Sequence, residues 1–430
     1  MSGEKIKAIY GTRDILPAEA DIWTEIIIAV SKIAEEYNYG FIHTPVFEAA
    51  ELFSRGIGES SDVVTKEMYT FKDQGGRSLT LRPEGTASVV RSYIEHSMGA
   101  KQGLVKVWYA GPMFRQERPQ AGRFRQFYQF GFEAVGSLEP SIDAEMIAAN
   151  YDIVKSLGIN DIKLYLNSIG MPEERKSHKR AFTDFIKPLI DKFCTDCRKR
   201  FKTNPLRMFD CKQKRCMALL IEAPLIFDYL SDENRRHFGE VCEFLDHIGI
   251  SYELDKRLVR GLDYYTRTAW EIKSDKLGSQ DSISGGGRYD LLVEQLGGKP
   301  TPGIGFAAGI ERVILAMPVK EFEPNRKDFG FFIVVGDSRY KKEAFGLITR
   351  IRKLGIPADI DYLGRSLKAQ MKQADKSGFI YSIILAEDEM SRGKAVLRNM
   401  ADSRQTEIFV KDVLDAENSG QLGELIGYKQ

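Results

Sequence analysis

Apolar positions recur at helical spacing from Pro17 to Tyr37, where Ile22, Trp23, Ile26, Ile27, Val30, Ile33 and Ala34 mark one face of an amphipathic helix. Pro45 then punctuates an extended stretch from Phe41 to Phe47. Residues 104–117 (LVKVWYAGPMFRQE) and 123–136 (RFRQFYQFGFEAVG) read as two strands, and the short RPQAGR between them predicts an antiparallel hairpin. From Pro172 to about Ile250 the pattern turns helical and basic. Strand signals return at 258–272 (LVRGLDYYTRTAWEI), followed by a glycine-rich turn, SGGGRYD, and a helix over 309–317. Glu323-Pro324-Asn325 reads as a linker. Beyond it FGFFIVVGD, a helix around 340–354, IPADIDY, a helix around 366–376 and FIYSIILAED alternate strand and helix. That alternation predicts a separate α/β domain with a largely parallel sheet.

The hairpin carries the first chemical signal. On its second strand, period two places Arg125, Phe127, Gln129, Gly131 and Glu133 on one face, and Gln126, Tyr128, Phe130 and Phe132 on the other. The aromatic face suits a core. A face of Arg, Gln, Gly and Glu suits either a wet sheet surface with cross-strand ion pairs or a ligand site, since buried polar groups need partners. Gly131 also leaves room where a ligand could approach. The first strand adds Arg115 and Glu117 on a common face. Further on, Arg260 opens a polar-aromatic string with Asp263, Tyr264, Tyr265, Thr266, Arg267 and Thr268. Arg312 falls in the first turn of its helix, where a cation opposes the helix dipole. It either grips an anion such as phosphate or pairs with Glu311 on the surface.

Composition narrows the partners. The chain has 430 residues with Lys+Arg 62 against Asp+Glu 61, so nucleic-acid binding has to come from local patches rather than net charge. The first residues lack the apolar core of a signal peptide, and no stretch approaches the roughly 20 apolar residues that span a bilayer. A cytoplasmic protein with no membrane contact is expected. Five cysteines in that setting suggest no disulfide framework. Four of them, Cys194-x2-Cys197-x13-Cys211-x4-Cys216, have zinc-ribbon spacing beside Arg198, Lys199, Lys212 and Lys214, with buried or free thiols as the other reading.

Other motifs fail on context. Gly303-x-Gly305 with Gly309 mimics a dinucleotide fingerprint, but Pro300 and Pro302 stand where a strand should precede it. Ser284-Gly285-Gly286-Gly287-Arg288 lacks the Gly-Lys-Ser/Thr ending of a P-loop. Asp328-Phe329-Gly330 copies a kinase triplet without a His-Arg-Asp loop anywhere. The five histidines are scattered and none falls in these segments, so none is assigned a catalytic role.

Phe114-Arg115-Gln116-Glu117 and Gly309-Ile310-Glu311-Arg312 resemble the two ATP-site motifs of class II aminoacyl-tRNA synthetases, and the helix before Tyr37 with the Pro45 stretch resembles their dimer-forming motif. Leu258–Thr268 and Ser284–Asp290 are more specific, being similar to the two histidine-binding signatures of histidyl-tRNA synthetases. Leu81–Ala87 (LRPEGTA) and Leu363–Lys368 (LGRSLK) fit that family as well, and the resemblance is weakest from Pro172 to Ile250. It implies an α+β fold: a class II antiparallel-sheet catalytic domain over residues 1–324, a mainly helical domain inserted at 172–250, and an α/β anticodon-binding domain over 328–425.

The resemblance also implies roles. Arg115 and Arg312 would hold the phosphates of ATP, with Glu117 near the adenine and Mg2+ bridging the phosphates. Glu84, Gly85, Thr86 and Gln129 would bind the amino-acid end of L-histidine, and Glu133 and Tyr265 would read its imidazole beside Tyr264. Arg260 would contact the histidine carboxylate and the α-phosphate. A homodimer acting on tRNA(His) is expected. The family needs no zinc at the cysteines, which favours plain thiols there. Two rivals remain: a regulatory subunit of ATP phosphoribosyltransferase, a non-catalytic relative that lacks the C-terminal domain and has eroded ATP motifs, and a class II synthetase for another amino acid. The intact ATP motifs argue against the first and the Arg260–Thr268 string against the second.

Overall fold

The hairpin expected between residues 104 and 136 forms the middle of the molecule. Strand Val105–Phe114 pairs antiparallel with Gln126–Val135 over ten positions, from Val105 opposite Val135 to Phe114 opposite Gln126. The structure, a computed structural model, describes residues 5–58, 63–278, 281–318 and 330–425. Glu323-Pro324-Asn325 lies outside the described residues. The chain divides into two compact units, Met1–Pro318 and Val319–Gln430.

Around the hairpin grows an eight-stranded sheet in the order Gly40–Phe41, Val105–Phe114, Gln126–Val135, Gly303–Gly309, Ser282–Arg288, Thr266–Lys273, Lys163–Ser168 and Glu253–Leu254. Its six central strands pair antiparallel, and only the two short edge strands run parallel to their neighbours. Successive side chains point to opposite faces, so each strand contributes to two environments. One face carries Trp108, Phe130, Phe132, Phe306, Trp270 and Leu166, all buried in one hydrophobic cluster. Phe132 and Phe306 stack there with ring centroids 5.1 Å apart. Helices Pro17–Glu36, Pro140–Ser156 and Asp232–His247 cover that face through Ile26, Val30, Ile147, Ile153, Val241 and Leu245. Asp232–His247, which composition alone groups with the basic helical insertion, thus packs in the main core, because Phe238, Val241 and Leu245 give it an apolar stripe.

Two local readings change. The run 258–272 becomes a strand only from Thr266, and Leu258–Tyr265 is irregular. SGGGRYD is not a turn: Ser282–Arg288 is a central strand paired on both sides. Its glycines admit neighbours rather than bend the chain. A Cβ on Gly286 would sit 2.5 Å from the Trp270 ring, and one on Gly287 would sit 2.8 Å from the Tyr265 ring.

The covering helix is bolted to the sheet by buried polar groups. Asn150 Oδ1 accepts from Trp270 Nε1 at 3.1 Å and from the Ser284 hydroxyl at 2.9 Å. Two turns earlier, Asp143 lies 3.0 Å from Arg288 Nε, accepts from the Thr268 hydroxyl at 2.6 Å and meets His237 Nε2 at 3.0 Å. Arg288 is fully buried and also donates to the Ser137 carbonyl at 2.7 Å. Burial pushes the Asp143 carboxyl up to about 7 against the pull of Arg288, and burial holds the His237 imidazole down at about 4, neutral at physiological pH.

The second unit is a five-stranded sheet in the order Ala358–Ile360, Phe331–Val335, Tyr381–Leu385, Lys394–Asn399 and Gln405–Phe409. The first three are parallel, as strand-helix alternation predicts, and the last two are antiparallel additions that the pattern did not show. Helix Lys341–Lys353 packs Ala344, Leu347, Ile348 and Ile351 on it.

Removing one partner of a buried ion pair leaves an uncompensated charge and typically costs about 3–5 kcal/mol. Asp143→Ala, which strips Arg288 and Thr268 of their shared acceptor, is expected to lower unfolding stability by about that amount in denaturant titrations. A loss under roughly 1 kcal/mol would show that the network does not hold the helix to the sheet.

Candidate active site

On the face of the sheet opposite the main core, helices Ala50–Ile57 and Thr86–Glu95 cover Val105, Val107, Tyr109 and Val135, and beside that cover the polar residues singled out in the sequence gather. Glu84, Thr86, Arg115, Glu117, Gln129, Arg260, Tyr264, Tyr265 and Arg312 all line one cleft of about 860 Å³. Glu133 and Gly85 lie outside that lining.

Each arginine is fixed by a named acceptor. Arg115 Nε donates to the Pro83 carbonyl at 2.9 Å, and its guanidinium lies 5.3 Å from the Phe127 ring centroid and 3.6 Å from Glu117. Arg312 Nε donates to the Ser282 carbonyl at 2.6 Å. Burial, with Arg123 nearby, holds the Arg312 guanidinium below its ordinary pKa, so an anion arriving there would relieve it. Glu311, the alternative partner for Arg312 in the sequence reading, instead accepts from the Tyr128 backbone N–H at 3.1 Å and ties its helix to the hairpin. Arg260 is bonded at 2.6 Å to Glu271 and lies 5.3 Å from the Tyr265 ring centroid. It crosses the glycine strand so closely that a Cβ on Gly285 would sit 2.5 Å from Nη1.

One wall of the cleft is built from the LRPEGTA segment, which contributes Glu84 and Thr86. Arg82, buried, donates to the Pro112 and Thr44 carbonyls at 2.9 and 3.1 Å and so pins the segment to the hairpin. Glu84 accepts from the backbone N–H groups of Thr86 at 2.6 Å and Ala87 at 2.9 Å, capping helix Thr86–Glu95. Gly85 is required by packing, since a Cβ there would meet the Tyr109 ring at 2.3 Å. Gln129 Oε1 is buried with no protein hydrogen-bond partner.

Glu133 sits fully buried in the sheet behind these groups. Its Oε1 accepts from the Thr86 hydroxyl at 2.6 Å and its Oε2 from the Tyr289 hydroxyl at 2.6 Å. Arg115 and Arg125 of the hairpin are engaged elsewhere, Arg115 by the Pro83 carbonyl and Arg125 by the Tyr10 carbonyl. Gly305, the facing residue, makes room: a Cβ there would lie 1.8 Å from Glu133 Oε2. Burial pushes the Glu133 carboxyl up to about 8, against the Thr86 and Tyr289 hydrogen bonds and with the help of Glu84. Tyr264 and Tyr265 stand beside it with ring centroids 4.7 Å apart, and Tyr289 is 5.9 Å from Tyr264.

Sequence reasoning missed Glu271 and the part played by Tyr289. Glu271 was visible as the polar member of alternating Trp270, Glu271 and Ile272, a period-two break that marks the cleft face. Tyr289 stood in the quoted signature, but only register shows that it reaches Glu133.

The family model "Histidyl-tRNA synthetase" matches residues 11–174 and 225–313, and "Anticodon binding domain" matches 330–416. The histidine–tRNA ligase of Halothermothrix orenii is 50% identical over 95% of this chain and 98% of its own. That of Desulforamulus reducens is 48% identical over 94% and 97%. The crystal structure of apo S. aureus histidyl-tRNA synthetase superposes with a TM-score of 0.78 at 40% identity, covering 96% of this chain and 99% of that one. A Bacillus halodurans structure titled ATP phosphoribosyltransferase regulatory subunit/histidyl-tRNA synthetase shares the fold, with a TM-score of 0.64 at 20% identity, over 86% of this chain. The cleft that gathers both sets of signature residues and the match along nearly the whole chain agree, and the chain belongs to the histidyl-tRNA synthetase family of class II aminoacyl-tRNA synthetases.

Proposed function

We propose that this chain activates L-histidine with ATP, forming histidyl-adenylate and pyrophosphate, and then transfers histidine to the 3′ end of tRNA(His). The observation that carries this is the gathering of Arg115, Arg260 and Arg312 in one cleft with Glu84, Thr86 and Gln129. In the first step the histidine carboxylate attacks the α-phosphate in line, so the protein must align two anions and neutralise charge on the phosphoryl oxygens. Arg260, held by Glu271, lines the same cleft as both sets of residues and would contact both reacting groups. Arg115 and Arg312 would grip the phosphates, each preset by its Nε bond to a carbonyl. Magnesium would arrive with the nucleotide, held by cleft carboxylates among Glu117, Glu271 and Asp281, and would neutralise phosphate charge. In the second step a ribose hydroxyl of the tRNA attacks the activated carbonyl and AMP leaves. No side-chain nucleophile is needed for either step.

Histidine would be recognised at both ends. Glu84, Thr86 and the unpartnered Gln129 Oε1 suit the α-ammonium. Glu133 would accept from an imidazole N–H, taking it in exchange for the Thr86 hydroxyl, while the Tyr265 hydroxyl meets the other ring nitrogen. An apolar isostere offers no ring nitrogen to Glu133 or to the Tyr265 hydroxyl, a loss of the kind by which a site built to hydrogen-bond its substrate rejects competitors by about 10⁴-fold without editing.

The chain would act in the cytoplasm as a homodimer. Ile28 on helix Pro17–Glu36, Phe41 on the sheet-edge strand Gly40–Phe41 and Phe47 after it are large apolar side chains left exposed. The second unit would read the anticodon. Lys368, Lys372 and Lys376 line one exposed face of their helix, and Tyr362 is 64% exposed just before it, offering a ring on which a splayed base can stack. Arg350 and Arg365 are less free, being engaged by the Ala416 carbonyl and Asp361.

Two outcomes test these assignments. Glu133→Gln keeps the shape but puts an amide donor where a carboxyl oxygen accepted, a mismatch worth about 1–3 kcal/mol, so kcat/KM for histidine should fall roughly 10- to 100-fold while KM for ATP stays nearly constant. A lower melting temperature with unchanged histidine kinetics would make Glu133 a purely structural group. Deleting the second unit should spare histidine activation and cripple tRNA charging. Normal charging by the truncated enzyme would assign that unit another task.

A further inference from the structure

The cysteines of the insertion belong to no step of the reaction, yet the fold brings them together. We propose that Cys194, Cys197, Cys211 and Cys216 hold a structural zinc ion that fixes the insertion as one wall of the active-site cleft. The four sulfur atoms all lie within 4.8 Å of one another, and among the described residues this is the only such cluster of metal-ligating side chains. A tetrahedral site with Zn–S bonds of about 2.3 Å requires sulfurs about 3.8 Å apart, and Cys194 Sγ lies 3.9 Å from Cys211 Sγ. Backbone N–H groups already point at the sulfurs: Cys197 N–H donates to Cys194 Sγ and Cys194 N–H donates to Cys216 Sγ, both at 3.4 Å. Such donors orient and stabilise thiolate ligands. Cys197, Cys211 and Cys216 are buried and Cys194 is partly exposed, so the site is closed by protein on most sides, as a structural zinc site is.

The surroundings explain why a metal belongs there. The cysteines sit in a separate small cluster with Phe182, Ile186, Phe193, Met208, Phe209 and Leu220, which shares no residue with the main core. A core that small needs a staple, and a metal is one of the usual ones. The gap in the matched family model, residues 175–224, contains all four cysteines. Between Cys197 and Cys216 the chain also carries Arg200, Arg207, Phe209 and Lys212, which line the cleft. Arg207 and Phe209 line as well a second cavity of about 440 Å³ beside it, with Lys176 and Lys179. Fixing the cysteines therefore fixes the basic wall that faces the proposed substrates. The four thiols would bind as thiolates, releasing their protons to solvent, with no redox step. This reverses the preference for plain thiols that the resemblance alone supports.

The test uses the full chain, grown with added zinc and purified without chelator under reducing conditions. Elemental analysis should find about one zinc per chain, as expected for one closed four-thiolate site. Modifying the thiols with a mercurial should release that zinc to a colorimetric indicator. Cobalt substitution should give the visible spectrum of tetrahedral thiolate coordination. Chelation should raise amide exchange in residues 194–219 while helix Pro140–Ser156 keeps its protection. Cys211→Ser combined with Cys216→Ser should lose the metal, and Cys242→Ser should keep it. Should the double variant fail to fold, the wild-type stoichiometry and cobalt spectrum decide alone. Zinc below about a tenth of an equivalent in wild-type protein, even after reconstitution, would overturn the proposal, and so would zinc retained by a folded double variant.

Discussion

A sheet can present charged groups on one face only when its other face is held firmly enough to keep them in register. Here the holding is done by Asp143 and Asn150, two turns apart on one helix, which meet Arg288, Thr268, Ser284 and Trp270 on the sheet. Two of those four sheet residues stand next to residues of the cleft: Trp270 precedes Glu271, and Ser284 precedes Gly285. The bolts on the core side therefore set the positions of Glu271, Gly285 and, across the strand, Arg260. Mutual positioning of charge is what adenylate formation demands, because a preorganised dipole or cation stabilises the transition state without rearranging.

The glycine strand is the counterpart of that rigidity. Arg260 crosses Gly285, Tyr265 presses on Gly287, and the Glu133 carboxylate occupies the space beside Gly305. Side chains at those positions would expel the groups that line the site. The same bareness brings Glu133 into the sheet interior, where burial raises its carboxyl to about 8 and two hydroxyls keep it bonded. A carboxyl held that way has already lost its water, so exchanging the Thr86 hydroxyl for an imidazole N–H, as proposed, would cost it no further desolvation.

Much of this was legible in the chain. Alternation along 126–133 separated Phe130 and Phe132 from Gln129 and Glu133: the first two lie in the main core, Gln129 lines the cleft and Glu133 is buried behind it. The helix at Pro17, the hairpin and the parallel half of the second unit followed from period alone. Ser282–Arg288 was read as a turn because glycine usually marks one, and its reason for being a strand lies in Arg260, Trp270 and Tyr265, which approach from elsewhere in the chain. Leu258–Tyr265 looked like a strand because its apolar and aromatic residues are dense, yet several of them line the cleft instead of pairing. Helix Asp232–His247 looked like part of the insertion because its surface is basic and acidic, whereas its buried stripe decides where it packs. The convergence of the four cysteines is a tertiary fact that spacing could only suggest.

The bolted sheet would align histidine and ATP by way of Arg260. The most direct measurement is ATP–pyrophosphate exchange by the purified chain with each amino acid in turn, in wild type and in Arg260→Ala. Exchange is expected with histidine alone, reduced by about 10²–10³-fold in the variant, the usual cost of one preorganised charge contact, with the fold unchanged by circular dichroism. Exchange with another amino acid, no exchange with any, or near-normal histidine exchange by Arg260→Ala would contradict that alignment.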